Sequence, residues 1–245
     1  MLRMGDQAPK PSVRRALIIA LVVYFFVTRF VPFGRTLLYP LTLLATWVHE
    51  MGHGMTALVL GGSFSSLDVF ANGSGLAHCA TSQPWQSGLT AAGGLLAPPI
   101  VGAVLLATSR GPRRARILLA GLGVAILLSL AIWVRSVTGW IALPIVAAVL
   151  TAFVVWGGPR RRMVFAQLIG VTLAIDTVSG SGYLFTASVT VDGTERPSDI
   201  TNFAHAFGGP YLAWGLLLAA ISFGLLGLGL YLAWHGDGAP AKKSR

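Results

Sequence analysis

The chain has 245 residues, of which 54% are hydrophobic and 11% charged, with a mean hydropathy of +0.72. That balance excludes an ordinary soluble globular domain and predicts an integral membrane protein, since a hydrocarbon core of about 30 Å takes ~20 helical residues to cross. The net charge of +10 does not mark a nucleic-acid binder, because the 18 Lys and Arg sit in short runs at the ends of apolar stretches with no basic face, and the single Cys79 excludes an intramolecular disulfide or a thiolate-rich metal site.

In chain order, a basic segment (1–15) with Arg3, Lys10, Arg14 and Arg15 leads into an apolar stretch without a cleavage site, and reads as a retained signal anchor. Windows of ~20 residues predict spans near 16–33, 36–60, 87–109, 115–134, 138–156, 163–185 and 209–234. Two polar segments, 61–86 and 186–208, interrupt them, and 235–245 reads as a flexible tail. The whole of 1–245 is expected to form a single integral membrane domain.

Arg110, Arg113, Arg114 and Arg116, then Arg160 to Arg162, then Lys242, Lys243 and Arg245 all fall on one face when spans are counted back from the C-terminus. Positive loops face the cytoplasm, so the C-terminus is expected there and both polar segments on the opposite side. Those segments hold Asp68, Asp192, Glu195 and Asp199 against the single Arg196. The basic N-terminus fits this parity only with an even number of crossings. Either the first span, which carries Arg29, lies in the interface, or AAGGLLAPPIVG (91–102) is re-entrant because its glycines and prolines break the helix. The expected fold class is therefore an all-α polytopic membrane protein of six or seven transmembrane helices.

One small β-element is predicted. Gly61-Gly62 is a helix stop, and SSLDVFANGSGLAHC (65–79) places two short strand-like runs around Asn72-Gly73, a strong turn signal for a β-hairpin.

The chemistry is concentrated in WVHEMGHG (47–54). His49 and His53, four apart on a helix, direct two imidazoles at one point, with Glu50 offset by about 100°. Two imidazoles, a third protein ligand and a water make a catalytic zinc site, in which the carboxylate takes the water's proton as general base. A bare match to this spacing is weak evidence. Three ionisable groups on one turn near mid-bilayer, at about 2.5–3.5 kcal/mol each, are hard to explain otherwise.

HEMGH in a spanning helix, followed by Gly-Gly and a hairpin, resembles the site-2 protease group of intramembrane zinc metallopeptidases, and within it a small bacterial "B-like" branch. The similarity runs from LLYPLTLLATWVHEMGHG through AAGG and PSDI to the last span. It implies that His49 and His53 bind one Zn2+, that Glu50 is the catalytic base, and that the hairpin offers an edge strand to an extended substrate, with Asn72 and Gly73 at its turn as substrate-binding or positioning residues. It also implies a bacterial plasma membrane location and a membrane-protein substrate.

The sequence departs from better-known members at the third ligand. Their later span carries an Asp-Gly pair, whereas Asp192-Gly193 here lies in a polar turn. Asp176, in QLIGVTLAIDTVSG (167–180), is the first choice, since it lies as far from its helix start as His49 does, ~20 Å along the axis. Asp199, in RPSDITNFAHAFGGP (196–210), is the alternative, although Ser198-Asp199 also reads as a helix cap. Asn202 and His205 are then candidates for positioning or oxyanion contacts, and His78 reads as a solvated loop histidine. The expected function is zinc-dependent hydrolysis of a peptide bond in or near a substrate's membrane segment. A catalytically inactive pseudoprotease that binds client helices is the alternative.

Overall fold

The structure is a computed structural model that describes residues 13–33, 38–179 and 182–235, without the side chains at 13, 28, 29, 176–179, 182 and 183. Most of the basic segment 1–15, including Arg3 and Lys10, and the tail beyond His235 lie outside the described residues, as does the Asp176 side chain.

Each predicted span coincides with one long helix: α1 (Val13–Phe30), α2 (Tyr39–Val59), α3 (Pro84–Thr108), α4 (Pro112–Ile132), α5 (Val137–Val155), α6 (Pro159–Ser179) and, near the end, α9 (Tyr211–His235). Four of them, α3, α4, α5 and α9, are long and apolar enough to cross a membrane, and the chain is a membrane protein. The others carry ionisable residues: Arg14 and Arg15 in α1, His49, Glu50 and His53 in α2, Arg160 to Arg162 in α6. Large apolar side chains such as Phe25, Val59, Ile117, Ile141 and Leu216 stand exposed around the outside, as a hydrocarbon solvent requires.

The glycines and prolines of 91–102 do not break a helix. They lie inside α3, which is continuous from Pro84 to Thr108 and is the most enclosed of the four spanning candidates. Each proline removes only one backbone donor, and the small residues face neighbours that need the space. A Cβ on Gly52 of α2 would sit 2.5 Å from both the Gly93 carbonyl oxygen and the Ala97 Cβ. One on Gly102 would meet the α6 backbone, 2.6 Å from Ala174 N and 2.7 Å from the Gly170 oxygen, and one on Gly229 of α9 would lie 3.0 Å from Ala103 Cα. Helix α3 is thus the post against which α2, α6 and α9 pack.

Helix α2 ends where predicted. Gly61 takes φ +81°, and the Gly62 amide donates to the Ala57 carbonyl at 2.8 Å. The predicted hairpin follows as β1 (Ser63–Val69) and β2 (Gly75–Ala80), antiparallel, with Val69 opposite Gly75 and a bulge between Phe64 and Ser66. Gly73 has φ +87° in the turn, and the Asn72 side-chain oxygen accepts from the Ser74 amide at 3.0 Å. The outer edge of β1 is occupied by the α4–α5 connection: Leu67 N donates to the Trp133 carbonyl at 2.9 Å and Arg135 N to the Leu67 carbonyl at 3.1 Å. Among the described residues no strand pairs with the β2 edge, although the Ala77 backbone amide on it hydrogen-bonds to Glu50.

The polar segment 186–208 is more structured than predicted. After a short α7 (Gly182–Phe185), β3 (Ser188–Val191) and β4 (Thr194–Pro197) form a second antiparallel hairpin, followed by α8 (Asp199–Phe207). The all-α expectation is corrected here. VTVDGTER carries an Asp-Gly turn between alternating residues, and Asp192 and Gly193 take φ +49° and +75°.

Candidate metal centre

Helix α2 presents His49 and His53 one turn apart, and α8 brings Asp199 to them from the other polar segment. His49 Nε2 lies 3.0 Å from Asp199 Oδ2, His53 Nε2 lies 3.3 Å from the same oxygen, and the two Nε2 atoms are 3.0 Å apart. Among the described residues these three form the group of side chains able to hold a metal ion. Four-coordinate zinc with bonds of ~2.0–2.1 Å sets neighbouring ligand atoms about 3.3 Å apart, so two nitrogens and a carboxylate oxygen at these spacings fit that ion.

The ring orientation of His53 is set by α3. Its Nδ1 donates to the Thr90 carbonyl at 2.8 Å, which leaves Nε2 with a free lone pair toward the cluster. Gly94 lies against the same ring: a Cβ there would overlap His53 Cε1 and Nε2. Gly54 makes room for the Phe64 ring of β1, which stacks on Trp133 with centroids 4.9 Å apart. The two flanking glycines of HEMGHG therefore serve different neighbours, Gly52 a helix and Gly54 the hairpin.

Asp199 is placed by a cap and a small core. Ser198 caps the N-terminus of α8, accepting from the Thr201 amide at 3.3 Å and donating to the Thr186 carbonyl at 2.6 Å. Ile200, which follows Asp199, is buried with Leu95, Leu184 and Leu218. The sequence pattern shows the cap, and the same first turn also delivers the carboxylate. Burial alone raises the Asp199 carboxyl, but the charges and hydrogen bonds of His53 and His49 outweigh it and hold the group well below the usual carboxylate range.

Glu50 is buried beside the cluster. Gly75 of β2 is pressed against it, since a Cβ there would fall 2.6 Å from Glu50 Cγ and 2.8 Å from Oε1. The hairpin turn is fastened to α2 by Thr46 Oγ1 donating to the Gly73 carbonyl at 2.6 Å and Tyr39 OH donating to the Ala71 carbonyl at 2.7 Å.

A cavity of about 430 Å³ opens over these groups. It is walled on one side by Gly73, Gly75 and Ala77 of the first hairpin, and on the other by Val189, Val191 and Arg196 of the second. Asn202 lines it as well, whereas His205 is exposed and Asn72 lies at the outer tip of its turn, neither among the lining residues. His78 is exposed and paired with Asp68 at 3.1 Å. Asp176 belongs to α6, and its side chain lies outside the described residues. Sequence reading missed Arg196 and the Thr90 carbonyl. The Asp-Gly turn signals the hairpin that carries the arginine, while nothing local marks a backbone carbonyl as a partner for His53.

A family model described as Peptidase M50B-like matches residues 16–229, a range that includes His49, Glu50, His53 and Asp199. No curated protein and no solved structure matches the chain.

Proposed function

This chain belongs to the Peptidase M50B-like family, and on that premise we propose that it is an intramembrane zinc endopeptidase that cuts a membrane-protein substrate in or near its membrane segment. The carrying observation is the convergence of His49 Nε2, His53 Nε2 and Asp199 Oδ2 at 3.0–3.3 Å beside a buried Glu50. His49, His53 and Asp199 would hold one zinc ion. Zinc bound there supplies Lewis acidity, polarising a scissile carbonyl and lowering the pKa of water toward about 7.

The chain's own groups account for the rest. The Glu50 carboxylate takes a proton from the attacking water and returns it to the leaving amine nitrogen, which its position beside the ligand cluster allows. The Thr90 carbonyl keeps His53 in the tautomer that leaves Nε2 free to ligate. The β2 edge, which no described strand covers and whose Ala77 amide hydrogen-bonds to Glu50, is suited to pair with an extended substrate backbone and lay the bond beside Glu50. Because β1 is already bridged to Val134, substrate pairing is directed to β2.

The missing Asp-Gly pair favours an inactive client-binding scaffold, and the Asp199 carboxylate beside both histidines supports the active reading instead. The basic runs at Arg110 to Arg116 and Arg160 to Arg162 support a cytoplasmic location for those loops, with both hairpins on the opposite side of a bacterial plasma membrane.

The test is Glu50→Gln in the full chain. Near-stoichiometric zinc with peptide cleavage reduced about 10²–10⁴-fold is expected. Undiminished cleavage by this variant would remove Glu50 from its role.

A further inference from the structure

The second hairpin is two-faced. Ser188 Oγ donates to Glu195 Oε1 at 2.6 Å on its outer face, while Val189, Val191 and Arg196 line the cavity on the other, with Val189 directly opposite Arg196. Strand register puts Arg196 on the face of Val189 and Glu195 on the other, and Pro197 at the end of β4 also borders the cavity, so the lining itself, which includes Arg196 and not Glu195, places the guanidinium's residue at the site. Among the described residues that line the cavity Arg196 is the one Lys or Arg, and no described carboxylate forms an ion pair with it.

Zinc at the cluster would balance the charges of Glu50 and Asp199, so the guanidinium leaves the cavity with one uncompensated positive charge. Arg196 precedes Asp199 by three residues, which holds their Cα atoms within about 11 Å. An extended peptide advances ~3.3 Å per residue, so the guanidinium, on a long side chain from that Cα, reaches substrate positions within a few residues of the bond cut. Arg196 is exposed and so reachable from the open side of the cavity, with Val189 opposite it and Val191 buried nearby, and a carboxylate there can form a charge-assisted pair with it.

We infer that Arg196 is a specificity residue: the cavity side of the β3–β4 hairpin selects a substrate that carries a carboxylate within a few residues of the scissile bond, next to an apolar side chain. This rests on the peptidase reading above and adds to it the chemistry of the preferred substrate. The carboxylate has two sources, an internal Asp or Glu, or the free C-terminus of a chain already cut.

The experiment measures binding, so that it does not depend on turnover. Full-length, zinc-loaded Glu50→Gln protein in detergent is titrated with fluorescein-labelled decapeptides of Leu, Ala and Gly, scanned with a single Asp, Asn or Lys. One arm has amidated C-termini and the other free C-termini. With Arg196 intact, Asp peptides of the amidated arm, or all peptides of the free arm, bind about tenfold more tightly than their neutral counterparts. Whichever arm shows the preference identifies the source of the carboxylate.

Arg196→Gln abolishes the difference, and Arg196→Glu shifts the preference to Lys. Zinc content near one per chain in both variants shows that the fold is kept. Equal binding of all peptides, no binding of any, or a charge preference that survives Arg196→Gln overturns the inference. Cleavage assays with Glu50 intact separate the two readings: charge-selective binding without cleavage retires only the peptidase reading, and cleavage without charge selection retires only this one.

Discussion

His49 and Asp199 lie 150 residues apart in the chain, yet His49 Nε2 and Asp199 Oδ2 approach to 3.0 Å. One is in the middle of a helix, the other in the first turn of a short helix that follows a hairpin, and α3 joins them. Gly93 and Gly94 of α3 admit α2 to close contact, while its Gly88 receives α8 so closely that a Cβ there would sit 2.5 Å from Ala206 Cβ. The candidate metal ligands are thus fixed from both sides of a single helix.

The first prediction follows from that contact. Asp199→Asn keeps the shape but replaces a carboxylate oxygen by a poorer neutral donor, so zinc affinity should fall by at least about tenfold. Asp176→Asn should retain near-stoichiometric zinc. Metal analysis of the two purified variants decides between the carboxylates, and loss of zinc from Asp176→Asn alone would transfer the third ligand to α6.

Gly94→Ala tests how tightly His53 is held. The added methyl overlaps the ligating end of the imidazole, and relieving it must turn the ring or separate α2 from α3. Overpacking of this kind costs about 1–3 kcal/mol, expected as weaker zinc binding and a lower Tm. Gly121→Ala in α4, where a Cβ meets nothing within 4 Å, should do neither. A Gly94→Ala protein with unchanged metal affinity would mean that His53 is free to move.

Gly75→Ala acts on the base instead. Its Cβ would lie 2.8 Å from both Glu50 Oε1 and Thr46 Cγ2, so the carboxylate must shift while the three ligands are untouched. A displacement of about 1 Å is enough to reduce turnover on the order of 10²-fold. The expected result is a lower kcat with zinc content preserved. Loss of zinc together with activity would instead place Gly75 in the support of the metal ligands.

Legibility from sequence followed the range of the interactions. All seven long helices and the first hairpin were visible, because apolar runs and an Asn-Gly turn are local signals. His49, Glu50 and His53 were visible for the same reason, as one turn of one helix. The third ligand depends on how two distant segments meet. Matching depths along helices point to Asp176, whose side chain lies outside the described residues, whereas Asp199, the alternative, reaches the histidines on α8 from the polar side, a route with no counterpart in helix periodicity. The breaks expected from Gly93, Gly94, Pro98 and Pro99 were misread because small residues in a membrane helix also serve close packing. The second hairpin had its Asp-Gly signal, and the polarity of its surroundings obscured it.

Cys79 gives the pH-dependent prediction. It lies on β2, and its thiol is pushed up to about 11, first by burial and second by the negative charge of Glu50. The neutral thiol therefore persists in the folded protein where an open thiol, with a pKa near about 8.5, has already ionised. Maleimide labelling should be slow at neutral pH and climb about tenfold per pH unit up to about 11, where it levels off. The unfolded chain ionises first, so this group leaves stability untouched at neutral pH and lowers it as the pH rises from about 8.5 through 11. Glu50→Gln removes the second cause and should speed labelling at a fixed alkaline pH. Labelling of the folded protein at the rate of a free thiol would show that β2 does not shelter Cys79, and would count against the close seat of this strand on Glu50.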